Sequence, residues 1–411
     1  MKLSALADNT PSSRLRYLDA FRTVAILVVV FGHWLIMTVW VRDGEILGFS
    51  ALPQLTRFWP LTWVFQVMPL FFLVGGIAGG ISWSRTKARG IPMAIWLLGR
   101  LRRLLPPALI VLGLAVIGAL IARPFAIRES LIEQAVFAVT MPMWFLVVYL
   151  LLIMLTPAMY WLHKKHGLLV IGVVNTSPPT VALLALVLMQ VGAAWLLSKP
   201  VQRLMERNRT LWTLVIAINS VTMTLFVWHM VAALAGALLL NAFDRLPHWY
   251  TGTGVGSAHW WQGRILWFAV LIPILALLVA VFGRLEAASA LAKPLLPHNS
   301  LGRRGRRKGL ERAVRGADTG GASASRIGSH RRRQVGLPIT LATIGCYLTV
   351  ALGLYLMASS PPGNHGPAII PTSALALVAL GAVVFWLLSR HISPFLSVPS
   401  DTVGAVEGRA L

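Results

Sequence analysis

Acidic residues are scarce in this chain. Against 37 Lys and Arg stand 13 Asp and Glu, and charged residues of both signs fill only 12% of 411 positions. So little charge beside 57% apolar residues excludes a soluble domain and leaves a polytopic membrane protein. Cysteine is nearly absent. The single thiol, Cys346, excludes an internal disulfide framework and a thiolate metal centre. No His-x-x-x-His pair occurs either, so no metal is expected. A Gly-rich phosphate loop and a Gly-x-Ser-x-Gly nucleophile elbow are both missing. The first apolar run is long and has no small-residue cleavage site, so it reads as a retained span rather than a leader.

The surplus of positive charge, formally +24, would point to nucleic acid in a soluble protein. Here the basic residues gather in short loops beside apolar runs, which is the positive-inside distribution. The one basic low-complexity stretch, Leu301 to Arg333, carries no aromatic residues for base stacking. No nucleic-acid partner is therefore expected, and residues 301–336 read as a disordered cytoplasmic linker lying on anionic lipid. Arginine far outnumbers lysine and Ala, Val and Leu dominate, a composition that fits a GC-rich bacterial genome.

What remains is an all-α transmembrane helix bundle of about nine to ten spans, built on long apolar runs. The first begins near Arg22 and continues to about Val41. Arg42 to Pro60 follows as a loop of mixed charge. Further spans are expected at about Leu61–Trp83, Leu104–Ala122, Gln134–Trp161, Thr180–Leu197, Leu211–Leu240, Arg264–Phe282, Leu337–Met357 and Ala368–Leu388. Arg85 to Arg103 reads as a basic loop. Gly75 with Gly79, and Gly76 with Gly80, form small-xxx-small pairs that allow close helix approach. With Arg14 and Arg16 inside, the alternation of loops fails once. The basic turn Lys164–Lys165 and the basic run from Lys199 to Arg209 both claim the inner side, yet one span separates them. Only Gly167 to Val174 is apolar in between, and eight helical residues cover about 12 Å of a hydrocarbon core of about 30 Å. An odd number of spans is therefore missing at Val174–Asn175. The divisions are a bundle over 1–300 with a deletion near 174–175, the linker 301–336, and two further spans with a short tail over 337–411. Both termini are expected on the cytoplasmic side of the plasma membrane.

Two ionisable residues stand in the first span. Eleven positions at about 100° each bring His33 to within about 20° of Arg22, so they share a stripe about 16 Å long. Asp19, three residues before Arg22, lies on nearly the same face, where it can hold the guanidinium. An intramembrane ionisable group is costly and marks function unless it only snorkels or bridges helices. Arg100 and Arg103 share another helical face and suit phosphate, although taken alone they read more simply as positive-inside topology with anionic-lipid contact. His229 is a second deep histidine, beside Asn219, Ser220, Thr222 and Thr224. Those hydroxyls read most simply as a polar packing seam.

Arg22-x10-His33, led by Leu18-Asp19-Ala20-Phe21, together with Arg100-x-x-Arg103, resembles the integral-membrane acyltransferase family 3, the envelope O-acyltransferases. The Phe-Phe-Leu-Val-Gly-Gly run, the Trp-Phe-Leu run with its tyrosine and proline, and the late Asn-Ser and Trp-His are similar to that family as well. The resemblance covers roughly residues 14 to 283 in two blocks, and relatives carry further central helices between them. It implies transfer of an acyl group, acetyl by preference, from cytosolic acyl-CoA to a hydroxyl of an envelope glycan, glycolipid or secreted metabolite. No cofactor beyond the acyl-CoA substrate is implied. By the same resemblance His33 and Arg22 are the catalytic residues, Arg100 and Arg103 bind the donor, and Asp19 and His229 support them. A neutral imidazole suits the general base, with a covalent acyl-histidine as a variant. The competing reading is a non-catalytic, degenerate acyltransferase or a transporter-like subunit.

Overall fold

A computed structural model describes residues 7–11, 14–42, 45–125, 129–166, 181–243, 254–291, 337–359 and 371–396. The junction at Val174–Asn175 and the basic stretch 301–333 lie outside them. The architecture is a bundle of α-helices with one small hairpin. In chain order its elements are α1 (Arg16–Ile36), β1 (Met37–Arg42), β2 (Glu45–Ser50), α2 (Trp59–Phe65), α3 (Met68–Ala88), α4 (Met93–Ala122), α5 (Glu129–Thr140), α6 (Met143–His166), α7 (Val181–Arg207), α8 (Arg209–Ser220), α9 (Thr222–Ala242), α10 (Ala258–Leu291), α11 (Leu337–Ser359) and α12 (Thr372–Leu396). Among the described residues seven helical stretches are long and apolar enough to cross a membrane, which makes this a multi-pass membrane protein. α3, with Arg85 and Lys87 in its last turn, and the amphipathic α7 are not among the seven.

Several boundaries differ from the sequence expectation, each for a local reason. The first helix stops at Ile36, not Val41, because Met37-Thr-Val-Trp-Val is β-branched and aromatic and pairs antiparallel with β2, Met37 opposite Ser50 and Arg42 opposite Glu45. The expected loop Arg42–Pro60 thus holds a strand and the start of α2. The expected basic loop up to Arg103 is helical from Met93 onward, so Arg100 and Arg103 project from α4 itself. The run Gln134–Trp161 is split between α5 and α6, and Leu211–Leu240 is split at Val221 between α8 and α9. At that second break Ser220 Oγ donates to the Ala217 carbonyl and Thr222 Oγ1 to the Ile218 carbonyl, side chains competing with the helix ladder.

α1 is the central strut. It packs against α3, α7, α8 and α9, so helices from beyond the Val174 junction enclose a helix from before it. Polar contacts stitch the two parts together. Gln190 of α7 bridges the gap between α2 and α3, donating to the Gln66 carbonyl at 2.8 Å and accepting from Leu70 N at 3.1 Å. Both backbone groups lack helical partners there, and Pro69 supplies no N–H. Arg16 donates to the Met205 carbonyl, and Tyr17 N donates to the Gln202 side chain. Asp8 grips Arg209 with both carboxylate oxygens. The Arg209 hydrogen bond holds the Asp8 carboxyl below its ordinary range, so this clamp is present at neutral pH and is lost only as pH falls into acid.

α11 and α12 form an antiparallel pair that lies on α4 and α6. Tyr347, buried, donates its hydroxyl to the Leu97 carbonyl of α4 at 2.7 Å. The pair is closely approached at two glycines. A β-carbon on Gly353 would lie 2.9 Å from the Ala374 carbonyl oxygen and 3.0 Å from Val378 N, and one on Gly381 would collide with the Val350 side chain. In α3 the glycines differ by face: Gly75 backs onto Tyr149 and Gly79 onto Thr156, whereas Gly76 and Gly80 face open space. Gly353→Ala is therefore expected to cost about 1–3 kcal/mol through overpacking against backbone, visible as a lower thermal midpoint in detergent. Gly76→Ala should be neutral or stabilising by up to about 1 kcal/mol in the same assay.

Candidate functional site

The centre of the site is a contact between two histidines 196 residues apart. His33 sits one turn before the end of α1, and His229 in the first half of α9. Their rings stack, with centroids 5.1 Å apart and planes inclined by 19°. His33 Nδ1 lies 2.8 Å from His229 Nε2, while His229 Nδ1 lies against the Phe226 carbonyl oxygen. A carbonyl only accepts, so His229 carries its proton on Nδ1. Its Nε2 is then a bare acceptor and can pair only with an N–H on His33 Nδ1. That assignment leaves the proton-accepting lone pair of His33 on Nε2, where nothing else among the described residues hydrogen-bonds the ring. His229 is wholly buried and His33 half-buried, so the inner ring anchors and the outer one is reachable.

Two further helices hold this pair in register. α8 and α9 together run the same way as α1, because Asn219 of α8 meets α1 near its start and His229 of α9 meets it near its end. The Asn219 amide donates to the Asp19 carbonyl at 2.9 Å and lies 2.7 Å from Thr23 Oγ1. Trp34, fully buried, donates its indole N–H to the His229 carbonyl at 2.9 Å. α10 runs antiparallel and closes the far end. Trp267 donates to the Trp34 carbonyl, and the buried Arg264 guanidinium donates to the carbonyls of Trp34, Leu35 and Met37 while lying over the Trp260 ring at 4.3 Å. These are the carbonyls that a helix end leaves without internal partners, so Arg264 caps α1 from another helix. Trp260 is itself fully buried in this seal.

The other sequence candidates fall at the opposite end of α1. Arg22 lies 3.7 Å from Asp19 across one helical turn, but Asp19 is shared and its shorter contact, 2.8 Å, is to Arg14. Arg100 lies over the Trp96 ring at 5.3 Å, and Trp96 donates to Ser82 Oγ. Arg103 is exposed on the same face of α4, within electrostatic reach of Tyr149 on α6 and Glu286 on α10. Neither Arg100 nor Arg103 pairs directly with Arg22; α9 packs against both α1 and α4. Among the described residues no group of three or more His, Cys, Asp or Glu could hold a metal ion. Sequence reading singled out neither Arg264 nor Glu286, although both are ionisable groups beside a span, which is a signal in itself.

Residues 15–174 match the family model for acyltransferase family 3, described as an acyltransferase domain. No curated protein and no solved structure matches the chain. The match ends at the junction where the span count fails, and His229, Arg264 and Glu286 all lie beyond it. The site is therefore assembled from the matched segment and from helices outside it. Replacing Arg264 by Gln should fray the last turn of α1, where Met37 N–H donates to the His33 carbonyl. Hydrogen exchange of the peptide carrying Met37 is expected to speed up about tenfold, as for the loss of about 1.4 kcal/mol of local stability.

Proposed function

We propose, on the match of residues 15–174 to an acyltransferase domain, that this multi-pass membrane protein moves an acyl group, acetyl by preference, from cytosolic acyl-CoA to a hydroxyl of an envelope glycan, glycolipid or secreted metabolite. The observation that carries this reading is the 2.8 Å contact of His33 Nδ1 with His229 Nε2. It leaves His33 with one basic nitrogen, held by stacking and directed by a buried partner.

In the reaction His33 Nε2 takes the proton of the acceptor hydroxyl as its oxygen attacks the thioester carbonyl. The tetrahedral adduct collapses with cleavage of the carbon–sulfur bond. The departing thiolate recovers the proton from His33, so an ester and a free thiol leave and the pair returns to its starting state. His229 keeps its own proton on the Phe226 carbonyl throughout and acts by orienting His33 and fixing its tautomer, as buried partners of catalytic imidazoles do.

The donor would approach from the end of α1 that carries Asp19, with both termini on the cytoplasmic side of the plasma membrane. Arg22, backed by Asp19, would orient the pantetheine arm or a phosphate, and Arg100 and Arg103 would grip phosphate through their planar forks. Arg22 stands about 16 Å along α1 from His33, a span that an extended arm can bridge and a compact substrate cannot. The basic stretch 301–333 would rest on anionic lipid.

Purified protein in lipid discs, supplied with radiolabelled acetyl-CoA, tests the assignment by acyl release. His33→Ala is expected to lower release by about 10²–10⁴-fold while the protein stays inserted and folded. His229→Phe, which removes the acceptor for the His33 N–H, should cost less, about 10–10²-fold, at unchanged donor affinity. Full activity in the His33 variant would end the proposal.

A further inference from the structure

Glu286 is a buried carboxylate near the end of α10, outside the matched segment and beyond the apolar part of its helix. Both of its oxygens are engaged by the start of α9. Oε1 accepts from Met223 N at 3.0 Å, and Oε2 accepts from Thr224 N at 2.7 Å and from Thr224 Oγ1 at 2.6 Å. Met223 and Thr224 are the second and third residues of that helix, so their N–H groups have no partner within it. The residue in the capping position, Val221, has no side chain able to accept. Glu286 supplies in trans what a capping Asp or Ser would supply in cis, and adds a negative charge at the positive end of the helix.

The same carboxylate is within electrostatic reach of Arg103. Along α9, His229 follows Thr224 by five residues, an advance of about 7.5 Å. α10 packs against both α4 and α9, so the side chain that caps the helix of the inner histidine also lies within electrostatic reach of an arginine on α4. We propose that Glu286 is a positioning residue that couples the donor arginine to the histidine pair, fixing the first turn of α9 with its oxygens and holding Arg103 toward that turn with its charge. This inference rests on the donor role of Arg103 set out above.

The two halves separate by substitution. Glu286→Gln keeps an acceptor oxygen and removes the charge, whereas Glu286→Ala removes both. In the full-length protein in lipid discs, hydrogen exchange over 219–230 should rise about tenfold in Glu286→Ala and clearly less in Glu286→Gln. Exchange unchanged in both variants would overturn the capping half, and Glu286→Gln alone decides it if the Ala variant does not fold. Binding of radiolabelled acetyl-CoA should weaken about three- to tenfold in Glu286→Gln and at least as much in Arg103→Gln. The double variant should bind no more weakly than Arg103→Gln alone, since the charge of Glu286 acts through Arg103. Effects that multiply, or tighter binding in Glu286→Gln, would overturn the coupling. If the wild type bound no acetyl-CoA, the donor reading itself would fall and the coupling with it, while the exchange result would still decide the cap.

Discussion

One hydrogen bond between two imidazoles sets the terms for the rest of the bundle. Nitrogen to nitrogen at 2.8 Å, it demands that α9 be held in register against the end of α1. Asn219 at one end and Trp34 at the other supply that register. The bond also demands a partner for the far nitrogen of His229, which the Phe226 carbonyl provides from one turn earlier in the same helix. With each proton assigned by an acceptor that cannot donate, the tautomer of His33 is fixed by the fold, without any charged neighbour.

Around this pair the bundle uses polar side chains where an irregular backbone would otherwise be left unsatisfied. Gln190 serves the gap between α2 and α3, Arg264 the end of α1, and Glu286 the beginning of α9. Each comes from a helix distant in sequence. In an apolar medium an unpaired backbone group costs several kcal/mol, so breaks in helices persist only where such partners exist. The breaks that shape the site and the side chains that heal them are one design. All three lie beyond residue 174, and two of them, Gln190 and Arg264, serve helices before it, so the part of the chain outside the family match is structurally bound into the part inside it.

The sequence was legible where a single helix carries the message. Arg22, Asp19 and His33 share a stripe on α1, and the 3.6-residue period was enough to see it. It was also legible for most of the apolar runs. It was least legible where two readings have the same hydrophobicity. Met37 to Val41 continues an apolar run and suits a helix by that measure, yet its β-branched residues pair with Glu45–Ser50 across Asp43–Gly44, a dipeptide that favours hairpins. The split at Val221 had its signal in the cluster Asn219-Ser220-Val221-Thr222, side chains that compete for backbone. The pairing of His33 with His229 had none, because no local pattern tells which of two deep histidines in different spans will face the other. Arg264 and Glu286 were overlooked for a related reason: at the ends of a span an ion looks like an anchor until its partners are known.

The glycines of α11 and α12 bear on how such a chain can be put together. At Gly353 and Gly381 the two helices approach until one backbone lies against the other, and Tyr347 reaches across to the main chain of α4. The pair thus keeps an internal seam on one face and a docking contact on another. How near its two helices can lie is set by two absent side chains, and where the pair meets α4 by one hydroxyl.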